Sequence, residues 1–201
     1  MRKIAALYSG NSQHHRCLNE PKYRRYLTEI IYLPNFAEQS LDEFDVLFIP
    51  SQLHQGLVIQ SKAKVDAFLE QGRTVVIHGP QPASWFAGQN WEHRPTNFWW
   101  WLDKEQSSGL VLTKPDHDLF TYITLEDATW HQHGVYWPPE GVDILISTED
   151  AAAILYVDKV STPGTLVVTT LDPEHHFGSY FMPATERYLD GFLPWLAHGK
   201  L

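Results

Sequence analysis

The sequence predicts an α/β fold in which a mostly parallel sheet is covered on both faces by helices. Three observations lead there. The run Arg73-Thr-Val-Val-Ile-His-Gly-Pro-Gln81 reads as a buried strand, Thr74–Ile77, that stops abruptly at His78-Gly79-Pro80. A continuous apolar strand of this kind needs cover on both faces. A helix-like segment, Lys62–Gln71, precedes it and ends at Gly72, where a helix-capping glycine belongs. Up to that strand the elements run β, α, β, β, α, β, an order that favours a doubly wound sheet with right-handed crossovers.

Taken in order, Lys3–Tyr8 is the first strand, ended by Ser9-Gly10-Asn11 and opening onto a polar loop with His14 and His15. Pro21–Leu27 is a short helix and Glu29–Leu33 a second strand, broken by Pro34-Asn35. Val46–Ile49 is a continuous apolar run suited to a buried parallel strand, and Pro50–Gly56 follows as a loop. Val58, Val65, Phe68 and Leu69 recur at helical spacing before Gly72. The second half is less regular. Pro82–Trp101 reads as a helix flanked by loops, and Trp130–Trp137 as a strand with His131 and His133 on one face. Leu110–Thr113, Asp143–Ser147, Ala152–Val157 and Thr165–Thr170 read as strands, with turns at Thr148–Asp150 and Ser161–Gly164. Leu171–Ser179 reads as a polar loop. A closing helix, Ala184–Ala197, presents Tyr188, Leu189, Phe192, Trp195 and Leu196 on its apolar face, with Pro194 expected to kink it.

The 201 residues are 43% hydrophobic, enough for one domain spanning 1–201. A net charge of −9 with no basic run beyond Arg24-Arg25 argues against nucleic acid and anionic membranes as partners. The single cysteine, Cys17, excludes an intramolecular disulfide and an all-cysteine metal site. The N-terminus is too short for a signal peptide, and no apolar run approaches the roughly 20 residues of a membrane span. A soluble, cytoplasmic protein is expected. The 11 histidines and 8 tryptophans, with the cluster Phe98-Trp-Trp-Trp101, point to a pocket lining or to a homo-oligomer interface. No nucleotide-binding glycine motif is present.

Three stretches together resemble the class I glutamine amidotransferase-like fold, and within it the trehalose-utilisation (ThuA-like) group. They are Phe44–Pro50, Val65–Gly79, and Gly164–Glu174 with the closing helix. The resemblance implies a flavodoxin-like three-layer sandwich, with a strand-to-helix elbow at His78 or Gly79 and a functional turn at Asp172-Pro173-Glu174. It also exposes departures. The family's elbow cysteine is missing, Asp172 stands where its histidine would, and Cys17 lies in the first loop. Glutamine hydrolysis is therefore not expected.

The turn after a central strand is where ligands and nucleophiles sit in such sheets, so the loops after four strands should converge on one pocket. His78, Asp172 and Glu174 are the candidate catalytic residues, as base, acid or orienter. Ser9, His14, Ser51, His54, Gly79, Gln81 and His175 are candidate ligand contacts, and backbone amides near His54 could stabilise an anion. His131, His133, His175 and His176 are candidate ligands for a divalent metal, the one cofactor the sequence suggests. Each set has a plainer reading as structural histidines or a solvated acidic turn. The expected function is binding of a small polar molecule, such as a sugar derivative, at the His78 edge. The alternatives are a metal-assisted hydrolase or isomerase using Asp172 and Glu174, and a catalytically silent interaction subunit. His78→Ala is expected to spare folding, and Ile77→Ala to cost about 2–5 kcal/mol.

Overall fold

The computed structural model describes residues 1–95, 102, 103, 105–179 and 182–201. Its described strands form one sheet. Five of them, β1 (Ile4–Tyr8), β2 (Glu29–Tyr32), β3 (Val46–Ile49), β4 (Thr74–His78) and β10 (Thr165–Thr169), pair in parallel in the order β2-β1-β3-β4-β10. This is the flavodoxin-like strand order. β4 lies between β3 and β10, and all of its residues are buried.

The other half of the sheet is antiparallel, which corrects the expectation of a mostly parallel one. β9 (Ala153–Asp158) runs against β10 and pairs with β8 (Asp143–Thr148), which carries β6 (Leu110–Leu112). β7 (Gly134–Tyr136) meets β9 at one bridge and carries β5 (Trp91–His93). The reason is connection length. The turns between β8 and β9 and between β9 and β10 are far shorter than the dozen or so residues a parallel crossover needs.

Strand residues alternate between two cores. Ala5, Leu7, Leu47, Ile49, Val75 and Ile77 face α3 (Gln55–Glu70) through Val58, Val65, Phe68 and Leu69. Ile4, Ala6, Val46, Phe48 and Val76 face α5 (Pro183–His198) through Tyr188, Leu189, Phe192, Trp195 and Leu196, together with Cys17 and Leu18 of α1 (Ser12–Asn19). The same alternation turns His78 towards α5.

Several local readings change. His14, His15 and Cys17 are helical rather than in a loop, because Asn11 caps α1. The supposed polar loop after β10 folds as α4 (Pro173–Ser179), with Pro173 opening its first turn. Its Gly178 lies so close to α1 that a Cβ there would be 2.1 Å from the Gln13 carbonyl oxygen. α2 is only Pro21–Arg24. α5 continues through Pro194, whose missing N–H would have served the carbonyl of the solvent-exposed Asp190. Within Pro82–Arg94 there are turns and β5 rather than a helix, and the Phe98–Trp101 cluster lies outside the described residues. Among the described residues, no helix is long and apolar enough to cross a membrane.

Candidate functional site

β1, β3, β4 and β10 end on the same edge of the sheet, and the segments leaving them meet there. His78, the last residue of β4, pairs with Thr169 of β10. Its Nδ1 lies 2.6 Å from Glu174 Oε1 on α4, with both side chains fully buried. Phe48, Tyr188 and Phe192 pack round the imidazole, with ring centroids 4.9, 6.1 and 5.0 Å away. The pair therefore sits in an aromatic box beneath α1, α4 and α5 and makes no contact with solvent.

The elbow falls on Gly79, not His78. Gly79 has φ +66°, in the left-handed region, and a Cβ there would lie 2.5 Å from Ser51 Cβ. Its carbonyl accepts a hydrogen bond from Tyr136 Oη at 3.0 Å, and that of His78 accepts one from Gln81 Nε2, also at 3.0 Å. The turn is braced from two sides, and residues 79–90 continue in turns rather than a helix.

Asp172 is nearly buried at the end of β10. Trp130 Nε1 donates to its Oδ1 at 3.3 Å and Gln52 Nε2 to its Oδ2 at 3.4 Å, while His176 Nε2 lies 3.3 Å from Oδ1. Burial pushes the Asp172 carboxyl up, but the His176 contact and the Trp130 donor outweigh it and hold the group below the usual carboxylate range. Around it runs a chain of imidazoles. Ring centroids are 5.2 Å apart for His131–His133, 4.7 Å for His131–His176 and 5.3 Å for His175–His176. Burial, then the neighbouring His176, lowers His131 to about 4, and the same two causes lower His175. His131 and His133 precede β7 rather than alternating along a strand. Among the described residues no three His, Cys, Asp or Glu side chains are placed to hold one metal ion together.

His14, buried on α1, lies within electrostatic reach of Glu174, His175 and Asp172, and burial dominates in lowering it to about 4. Ser51 is fully buried beside Gly79. Ser9 is half-buried at the end of β1. His54 stands apart from the buried group: it is exposed and caps α3, its Nδ1 accepting from the Leu57 N–H at 3.4 Å. Asn11, Gln52, Trp130, Tyr136 and Tyr188 also belong to this region. Asn11 was findable as a helix-capping residue, and Trp130 and Tyr136 as aromatic residues flanking the histidine pair, whereas Gln52 and Tyr188 carry no local signal of a site.

No family model matches the chain, and none of the curated proteins does. Solved structures do. A glutamine amidotransferase from Thermotoga maritima matches with a TM-score of 0.51 and 8% identity, over 97% of this chain and 84% of that one. A candidate GMP synthase component from Thermoplasma acidophilum matches at 0.50 and 12% identity, over 98% and 96%. The fold is similar to that of class I glutamine amidotransferase-like structures. An exo-β-1,4-mannosidase, Op5Man5 from Opitutaceae bacterium strain TAV5, matches at 0.55 with 13% identity over 98% of this chain. The chain spans only 36% of that enzyme's length. At these identities the likeness concerns the fold alone.

Proposed function

We propose that this chain is a ThuA-like protein on the amidotransferase-like fold that does not hydrolyse glutamine. In this reading it binds a small polar ligand, a sugar derivative, at the carboxyl edge of its parallel strands above His78. The elbow carries the reading: Gly79 has no side chain, and Ser51 fills the space one would need. Cys17 cannot stand in as nucleophile. It is buried on α1, and burial, then Glu174, pushes its thiol well above the ordinary value. What the edge offers instead is hydrogen bonding, from the exposed Gln52 amide and the half-buried His133 and His175 round Asp172. A sugar derivative, with several hydroxyls that both donate and accept, suits such groups.

Saturation-transfer NMR on the full chain, with mono- and disaccharides including mannose and trehalose, tests this. Binding weakened in Gln52→Ala and His175→Ala is expected. No binding, or binding that neither variant changes, would remove the sugar assignment. Ammonia released from glutamine above background would remove the non-glutaminase assignment.

The imidazole chain favours a second reading, a metal-assisted hydrolase or isomerase with Asp172 and Glu174 as its carboxylates. A metal would have to draw the His131, His133, His175 and His176 rings into a common geometry. Stoichiometric zinc or cobalt in the purified chain, lost in the His131→Ala, His176→Ala double variant, would favour it over the first.

A further inference from the structure

Five polar side-chain atoms at the carboxyl edge are buried without a hydrogen-bond partner among the described residues: His14 Nε2, Ser51 Oγ, His78 Nε2, Glu174 Oε2 and Tyr188 Oη. All five residues are fully buried. They arrive from α1, the segment after β3, β4, α4 and α5, so no single element explains them. Folded proteins very rarely leave so many buried polar atoms unmatched in one region, and the usual remedy is an enclosed small molecule. Glu174 is the hub. Its Oε1 meets His78 Nδ1, and its charge acts on His14 and Tyr188.

The polarity of the group is fixed by Asn11. Its Oδ1 accepts the His14 backbone N–H at 2.7 Å, which settles which way its amide faces. Its Nδ2, which can only donate, therefore lies 3.1 Å from His14 Nδ1. His14 Nδ1 must accept, so the proton of the neutral ring is on Nε2, which is itself buried and unpartnered. Burial supports the neutral form, lowering His14 to about 4.

We propose that the carboxyl edge encloses a closed site for a small hydroxylic molecule, water in the resting protein. His14 Nε2–H is its donor and Glu174 Oε2 its acceptor, and Asn11 is the positioning residue that sets this polarity. An occupant facing an N–H and a carboxylate must accept from one and donate to the other, as water or a hydroxyl does. A metal cation would meet the N–H donor, and an anion the carboxylate. The site is independent of whether a sugar binds at the rim above it.

Nitrogen-15 NMR of the full chain near neutral pH tests the polarity without any variant. His14 protonated on Nε2 and bare on Nδ1 is expected, and the opposite tautomer or a doubly protonated ring would overturn the proposal. Asn11→Asp keeps a good helix cap but places a carboxylate oxygen against Nδ1. It should place a proton on His14 Nδ1 at the same pH, as the opposite neutral tautomer or as the doubly protonated ring. A folded variant that retains the wild-type tautomer would refute the positioning role; if the variant does not fold, the wild-type spectrum still decides the polarity. A high-resolution crystal structure tests the occupant. One water within hydrogen-bond distance of both His14 Nε2 and Glu174 Oε2 is expected, and a dry gap or a direct contact between the two side chains would overturn it.

Discussion

Ser51 and Gly79 divide one small space at the centre of the carboxyl edge. A Cβ on Gly79 would lie 2.5 Å from Ser51 Cβ and 3.4 Å from its Cα, and Gly79 holds φ at +66°. The turn after β4 is thus built to carry no side chain. A turn of this kind presents no nucleophilic side chain at position 79.

Gly79→Ala should therefore be costly. Left-handed strain contributes about 1–2 kcal/mol and overpacking about 1–3 kcal/mol, so the loss should be on the order of 2–5 kcal/mol. Adding Ser51→Gly should recover the packing part but not the strain. Urea denaturation of the two variants measures both, and a neutral Gly79→Ala would contradict the described turn.

The buried pair His78–Glu174 revises what the sequence suggests for His78. Removing the imidazole strands a carboxylate in an aromatic box, and breaking a buried pair costs about 3–5 kcal/mol. That is comparable with the roughly 2–5 kcal/mol for Ile77→Ala, so His78→Ala should not spare folding. A His78→Leu, Glu174→Leu double variant should be less destabilised than either single one. Additive losses in the double-mutant cycle would mean that the two side chains do not interact.

Acid should weaken the fold before the ordinary carboxylates titrate. His14 and His131 are lowered to about 4, chiefly by burial, whereas in the unfolded chain they titrate near the usual 6.5. Above about 6.5 both states are neutral and no penalty exists. As pH falls from there towards about 4, the unfolded chain binds protons that the folded one refuses, and stability drops. For the fully buried His14 the loss is on the order of 3 kcal/mol across that window. His14→Gln should flatten the dependence of the urea midpoint on pH between those values, and an unchanged slope would argue against a buried, neutral His14.

Cys17 should be inert. It is buried on α1 and its thiol is held protonated. Because reaction requires the chain to open, thiol reagents should label it roughly a hundredfold or more slowly than free cysteine. Rapid labelling of the native chain would overturn this.

Much of the fold was legible because its signals are local. Val75-Val76-Ile77, uninterrupted and followed by His78-Gly79, marks a buried strand ending in a sharp turn. Gly72, with φ +76°, ends α3 where a cap glycine was expected. The antiparallel half was legible too, in the short turns at Thr148–Asp150 and Ser161–Gly164, but the strong parallel signal of the first half was carried across them. α4 was hidden because Pro173-Glu-His-His reads as polar and rigid. Only packing against α1, at Gly178, shows that its buried face belongs to the interior.

The sequence by itself determined which segments are strands and helices along most of the chain, that β4 is buried on both faces, and that no cysteine stands at the elbow. These follow from apolar periodicity, turn residues and identity, which are properties of neighbours in the chain. The tertiary structure decided that the elbow is Gly79, that Ser51 closes it, that Glu174 rather than Asp172 meets His78, and that the pair is sealed from solvent. Each of these depends on where residues far apart in sequence end up in space: His78 and Glu174 are separated by 96 positions and 2.6 Å. Burial and pairing of polar groups are set by that placement, and no local pattern encodes it.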